Sequence, residues 1–335
     1  MTKFKNVFVA EFSKLLNKKS LLTLFLIVLL LVILTTVAYE AIPEEFMSML
    51  SPQEPYTSHE EAIASYQEKL NNITDNFLNS NEAYQLKAKI AYHKYALEHK
   101  ITSGSYEIYD SSNMFLMSNT ALGYMRFIIN VVLSILTIYI IVKAGSTLLG
   151  EEKNGTLKLA LMRPISRASL LTAKWLSLIA FSVIAVFLTL FVTAIYGMFR
   201  FELVSKSILL VLNASVVCMV NPIVVFLVEG LHNLVYLFAF IQLSFFISFL
   251  FKNKTAGTII HLLLLFLGDL VSMLMSIMHL GVIDFISNLN WISALGVNGP
   301  SYKNMNLIST TLITIAYLAI FTTGNYLIFN KKDIN

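Results

Sequence analysis

Leu21–Ala38 reads LLTLFLIVLLLVILTTVA, eighteen residues without a charge. A helix needs about 20 predominantly apolar residues to cross the hydrocarbon core of a bilayer, so this run reads as a membrane span. Lys18 and Lys19 mark its leading edge. A secretory leader would carry a shorter apolar stretch, about 7–15 residues, closed by a small-residue cleavage site. No A-x-A follows here, and a long segment comes first, so the run is expected to be an uncleaved first span with its N-terminus inside. Upstream, Phe4, Phe8, Phe12 and Leu15 recur at helical spacing, with Lys5, Glu11, Lys14 and Lys18 between them. That pattern predicts an amphipathic helix over residues 1–19, suited to the headgroup layer.

The rest of the chain agrees with a membrane solvent. Of its 335 residues 56% are hydrophobic and 13% charged, and the mean hydropathy is +0.71. Soluble domains carry about 25% charged residues. The net charge of +4 is modest, and the basic clusters flank apolar runs. A nucleic-acid partner is therefore excluded. The single cysteine, Cys218, rules out a disulfide framework or a CxxC metal site.

We read an all-α polytopic fold with six transmembrane helices, an N-terminal elbow helix and an extracellular helical hairpin. The spans are expected at 20–40, 122–146, 169–197, 234–251, 252–278 and 307–335, the last including a cytoplasmic tail. Residues 41–121 hold 11 acidic residues, five lysines and no arginine. There Ser58 and Glu61 form a capping-box pattern, and Ile63, Tyr66, Leu70, Ile73 and Phe77 make one apolar stripe. A second helix is expected from about Glu82 to His99, with Leu86, Ile90 and Leu97 on one face and Gly104 as its stop. Residues 198–233 contain the apolar segment ILLVLNASVVCMVNPIVVFLVEG, interrupted by Asn213, Asn221 and Pro222. It is expected to be a seventh span or a broken, re-entrant pair of short helices on the outer side. Residues 279–306 are an extracellular loop.

Charge decides between six and seven spans. With six, the inner segments hold 15 basic residues against Glu11, Glu151, Glu152 and Asp333, while the remainder holds 9 basic and 16 acidic residues. A seventh span would move Lys252, Lys254, Lys331 and Lys332 outside, against the positive-inside rule.

Enzymatic signatures are missing. There is no G-x-x-x-x-G-K-[ST], no H-E-x-x-H and no G-x-S-x-G in a strand–turn–helix setting. The six histidines are scattered, so no metal or other cofactor is expected on this chain. The N-x-[ST] triplets at Asn72, Asn154, Asn213 and Asn253 fall mostly in membrane or cytoplasmic segments and read as chance.

The informative island is 147–168, with EEKNGTLKLALMRPISR running from Glu151 to Arg167 and Lys174 seven residues on. Gly155 permits a sharp turn. Thr156–Met162 is expected to form a short helix at the membrane surface, which Arg163 interrupts and Pro164 ends. Ser166 is placed to cap the next span. On composition alone this is an anchored hairpin loop with snorkelling basic residues. Its residue pattern closely resembles the cytoplasmic loop of type-2 ABC exporter permeases. The amphipathic segment Phe4–Lys18 and the basic turn within Phe246–Gly257 (FISFLFKNKTAG) resemble other parts of that family.

The resemblance implies that the loop carries a coupling helix, with Glu151, Glu152, Gly155, Thr156, Arg163, Pro164, Ser166 and Arg167 at the contact with an ATP-binding subunit. It implies two such subunits holding ATP and Mg, a second permease chain (identical or a sister), and no catalysis by this chain. It also implies outward transport of a drug, antimicrobial peptide or lipid-like molecule across a bacterial cell membrane, with both termini cytoplasmic. Intramembrane polar residues are candidates for a translocation path. Asp269 and Glu229 lead, then Gln242 and Asn221, although Asp269 equally suits helix packing. Arg126 lies close enough to the outer end of its span to snorkel and is assigned no role. Two other readings stay open: a membrane-anchored sensor or immunity protein using its acidic hairpin, and an ion-coupled secondary transporter working through Asp269.

Overall fold

The computed structural model describes residues 2–41, 56, 58–73, 81–101, 106–108, 121–145, 147, 150–162, 165–201, 207–212, 214–251, 254–278, 280–295 and 307–331. The chain is a polytopic helical membrane protein. It begins with α1 (Thr2–Leu15) and α2 (Lys18–Glu40), and an outer pair, α3 (His59–Asn71) and α4 (Asn81–Glu98), follows. Next come β1 (Tyr106–Ile108), α5 (Ala121–Gly145), the short helices α6 (Glu151–Lys153) and α7 (Thr156–Leu161), and α8 (Arg167–Arg200). A hairpin of β2 (Ser207–Leu212) and β3 (Val216–Val220) leads into α9 (Pro222–Leu250), α10 (Lys254–Ile277), α11 (Phe285–Leu289) and α12 (Leu307–Lys331). Helices α2, α5, α8, α9 and α12 are long and apolar enough to cross a bilayer. A sixth crossing is supplied if the two parts of α10, Ala256–Gly268 and Leu270–Ile277, bent by 58° at Asp269, count as one.

Which face each span buries follows from what drives helices together in lipid. Hydrocarbon is as apolar as leucine, so close packing and hydrogen bonds select the contact stripe. In α2 that stripe is Ser20, Leu24, Val28, Val32 and Thr36, four residues apart, while Leu22, Leu26, Leu30 and Leu34 face outward. The Thr36 hydroxyl meets the Tyr124 hydroxyl at 2.5 Å. Helix α8 buries small residues, among them Ala173, Ser177, Ser182, Ala185, Thr189 and Gly197. A Cβ on Gly197 would lie 3.3 Å from the Ala121 carbonyl oxygen, so glycine there lets α8 approach α5. The main core gathers α2, α5, α8 and α9, and takes in Leu15 of α1, Leu157 of α7 and Phe329 of α12.

Outside the bundle, α3 packs on α4 through Ala62, Tyr66, Leu86 and Ile90. Ser58 caps α3, its hydroxyl accepting from the Glu61 amide at 3.2 Å. The expected stripe residues Ile63, Leu70 and Ile73 pack against that cluster and Leu97 is half-buried, while Phe77 and Gly104 lie outside the described residues. Beneath α4, a three-stranded sheet runs β1-β2-β3, with β1 parallel and β3 antiparallel to β2.

Residues 198–233 differ from expectation. Instead of a seventh span or broken helices they hold the β-hairpin and the first turns of span four, which begins at Pro222 rather than at residue 234. The physical reason lies in the interrupting residues. Ala214, at φ 57°, turns the chain between two short apolar runs. Asn221 then caps α9, its side chain accepting from the Ile223 amide at 2.9 Å, with Pro222 at the first helical position. The expected loop at 279–306 is folded over its described part. Asp284 caps α11 by accepting from the Ser287 amide at 2.8 Å, and the Asn288 side chain donates to the Val282 and Asp284 carbonyls at 2.9 and 2.7 Å.

Candidate functional site: the loop between the second and third spans

Two short helices form the island. Gly155 sits between them at φ 71°, in the left-handed region where a side chain is strained. The Thr156 hydroxyl donates back to the Glu151 carbonyl at 3.2 Å and closes the turn. Leu157, 1% exposed, is anchored in the main core. On the other side of α7, Leu159 is 64% and Met162 77% exposed, with Lys158 exposed beside them. Ser166 caps α8, its hydroxyl accepting from the Ser169 amide at 3.1 Å. The expected interrupter Arg163 and terminator Pro164 lie outside the described residues.

The loop is held at both ends by charge. Lys174, about two turns into α8, has no exposed side-chain surface and donates to Glu11 of α1 at 2.8 Å and to Glu151 of α6 at 2.5 Å. Lys14 joins the same two carboxylates at 2.7 and 3.0 Å. Two ammonium groups thus face two carboxylates, and a neutral quartet makes burial of Lys174 tolerable. Burial works to raise the Glu11 carboxyl, but Lys174 and Lys14 more than offset it and hold it below the ordinary carboxylate value. Burial works to lower the Lys14 ammonium, and Glu11 and Glu151 hold it above its ordinary value. On the other side of α8, Arg167 donates to the Phe329 and Asn330 carbonyls at 3.4 and 3.0 Å, a cation closing the C-terminal end of α12. Thr172 and Tyr326 share a hydroxyl–hydroxyl bond one turn deeper.

Glu151, Gly155 and Thr156 share the turn that opens α7, Ser166 and Arg167 stand at the start of α8, and the Glu151–Lys174 bond ties the turn to α8. Glu151 serves inside it, as the link to α1 and α8, and Glu152 lies half-buried beside it. Glu11, Lys14 and Lys174 were not singled out from sequence. The available signal was a lysine within a predicted span, where an intramembrane ionisable residue calls for a partner.

Among the described residues, the polar groups of the spans do not form one site. Glu229 is held by a two-pronged pair with Arg126, at 2.6 and 2.9 Å, so Arg126 has a definite partner rather than snorkelling. One turn deeper, Asn233 donates to Asn130 at 3.3 Å. Asn221 is used as a helix cap. Gln242 lies thirteen residues beyond Glu229 on α9, about 20 Å along its axis, and bonds Thr322 and Asn325 of α12. Asp269 marks the bend of α10, and its side chain lies outside the described residues.

Apolar spans around a loop that is anchored on one face and bare on the other define a multi-pass membrane permease. The chain matches the family model of ABC-2 family transporter proteins over residues 5–334 and belongs to that family. It is thus the membrane-spanning component of an ABC transporter, a non-catalytic subunit whose family works with an ATP-binding subunit. A search of curated proteins finds no match.

Proposed function

We propose that this permease is driven outward by an ATP-binding subunit docked on α7. The observation that carries the reading is the division of α7, with Leu157 locked into the core while Leu159 and Met162 stand bare beside Lys158. An exposed apolar pair at the tip of a charged loop suits a protein surface that covers it. Glu151, Glu152, Gly155, Thr156, Arg163, Pro164, Ser166 and Arg167 shape or border that contact. ATP and Mg belong to the partner, and closure of two partner subunits shifts the permease between two packed states by differential binding. Two permease chains, identical or sister, make the working unit. In this reading both termini lie in the cytoplasm of a bacterial cell, an orientation that the basic residues at the span ends support. Drugs, antimicrobial peptides and lipid-like molecules are the cargo classes suggested by family analogy. Gln242 of α9 borders the path, and Asp269, at the bend of α10, is the place where a span changes course.

Replacing Leu159 and Met162 together with Asp tests the docking. Membrane insertion should be unchanged, and capture of the co-expressed ATP-binding subunit should fall at least tenfold. Normal capture and normal ATP-dependent transport by this variant would remove α7 from the contact. Transport by the chain alone under a proton gradient would replace the ATP-driven reading with a secondary-transport one.

A further inference from the structure

His59 and His93 are 34 residues apart in the chain, and only the packing of α3 on α4 brings them together. His59 stands half-buried in the first turn of α3, and His93 of α4 is 3% exposed. Their Nδ1 atoms face each other at 2.9 Å. A neutral imidazole holds a single N–H, so one ring offers the proton and the other the lone pair.

One ring is fixed and the other borders solvent. His93 stacks on Tyr66 with centroids 5.8 Å apart, and its ring lies 4.1 Å from that of Tyr92. Tyr66 belongs to the small core that joins the two helices. His59 sits beside the exposed Glu60 and Glu61. Lys69 and Lys89 lie over the Tyr66 ring at 5.6 and 5.2 Å. The 11 acidic residues of 41–121 still outnumber its five lysines, so the region as a whole attracts cations.

Neutral imidazole is the commonest metal ligand among side chains, and the spacing of the pair selects the metal. Bonds of about 2.0 Å at the right angle of a tetragonal site put two nitrogens about 2.8 Å apart, and the tetrahedral angle of a zinc site puts them about 3.3 Å apart. The observed 2.9 Å fits the first. Copper(II) also heads the affinity order for nitrogen sites of this kind. Among the described residues no group of three His, Cys, Asp or Glu side chains could hold an ion. The remaining positions therefore fall to water, which reaches them past the half-buried His59.

We propose that His59 and His93 form a two-imidazole site for a divalent metal ion of tetragonal preference, copper(II) before zinc(II), which staples α3 to α4. When the ion binds, the proton on one Nδ1 moves to the Nε2 of the same ring. This is a change of tautomer with no net proton lost, and it frees both Nδ1 lone pairs. Each lone pair then points about 45° off the line between the two nitrogens, toward the ion. The site stands apart from the transport reading above and from the docking on α7.

The full chain in phosphatidylcholine nanodiscs, without an ATP-binding subunit, can be titrated with copper(II) in a non-coordinating buffer. Pulsed electron paramagnetic resonance should show two imidazoles on one ion at one equivalent. His59→Gln should leave one imidazole and weaken binding at least tenfold. His99→Gln, at an exposed position just past α4, should change neither. Zinc(II) should bind at least tenfold more weakly than copper(II). Copper(II) should also slow amide hydrogen exchange in α3 and α4 of the native chain and not in His59→Gln. Fewer than two imidazoles on the ion in the native chain, a signal unchanged by His59→Gln, tighter binding of zinc(II), or exchange indifferent to copper(II) would overturn the proposal. An ion held only by the amino terminus or by His99 gives a signal unchanged by His59→Gln. The imidazole count in the native chain needs no substitution, so it decides the matter even where a variant loosens α3.

Discussion

Replacing Lys174 with Met removes the centre of the buried quartet while keeping the length of the apolar stem. Lys174 is fully buried and the Glu11 side chain only 6% exposed, so the loss strands a carboxylate away from water. Breaking a buried pair from one side costs about 3–5 kcal/mol. Lys14 still reaches Glu11 and Glu151, at 2.7 and 3.0 Å, so the lower end, about 3 kcal/mol, is expected. That is about a hundredfold in the equilibrium between docked and released α1. Emission from Trp175, the neighbouring residue, can follow this in an SDS titration of the full chain in detergent micelles. The test turns on a second substitution. In the Lys174→Met background, Glu11→Gln removes the stranded charge and should restore at least about 1 kcal/mol, whereas in the native chain it should destabilise. If Lys174→Met costs less than about 0.5 kcal/mol, or if adding Glu11→Gln makes it worse, the quartet does not hold α1 in place.

Arg126→Leu should destabilise the α5–α9 contact by about 3 kcal/mol, because Glu229 then keeps a buried charge; adding Glu229→Leu should recover most of it. Thermal unfolding of the native chain and both variants in nanodiscs checks this, and a double variant as weak as the single one contradicts it. The quartet also sets a pH response. Glu11 has a lowered folded pKa, so its contribution is complete above the unfolded value near 4.3 and is lost as pH falls through the lower folded value. Lys14 has a raised one, so its smaller, half-exposed contribution is complete below about 10.4 and is lost as pH rises through the higher folded value. Docking of α1 should accordingly be flat from about pH 5 to 10. Glu11→Gln should remove the acid limb, and a fluorescence titration in which that limb persists would assign it elsewhere.

The features legible in the sequence are those written in local spacing. The uncharged length of Leu21–Ala38, the Ser58 cap and the turn at Gly155 each depend on neighbours in the chain, and each stands where the pattern put it. Residues 207–220 show the opposite case. Their apolar runs are short, and periodicity alone does not separate a buried strand from a buried helix. Asn221 and Pro222 looked like interruptions because a cap and a break use the same residue types. The charged partners were hidden for a different reason. Lys174 and Glu11 are separated by 163 residues, and Arg126 and Glu229 by 103. A lysine near a span boundary therefore counted as an interfacial charge, and Arg126 as a snorkelling one. Only the packing of α1 and α9 against their neighbours turns these into pairs.

The sheet gives the outer region a mechanical line to the membrane. β1 is laddered to β2, β2 to β3, and β3 runs into α9 with Asn221 alone between them. Tyr92 of α4 is packed on Val211 from above. There is no slack in that train, so a rotation of α9 about its axis carries the sheet and α4 with it. Anything that grips the α3–α4 pair therefore holds the handle of span four, and a clamp applied there should stiffen the transporter from beyond the bundle.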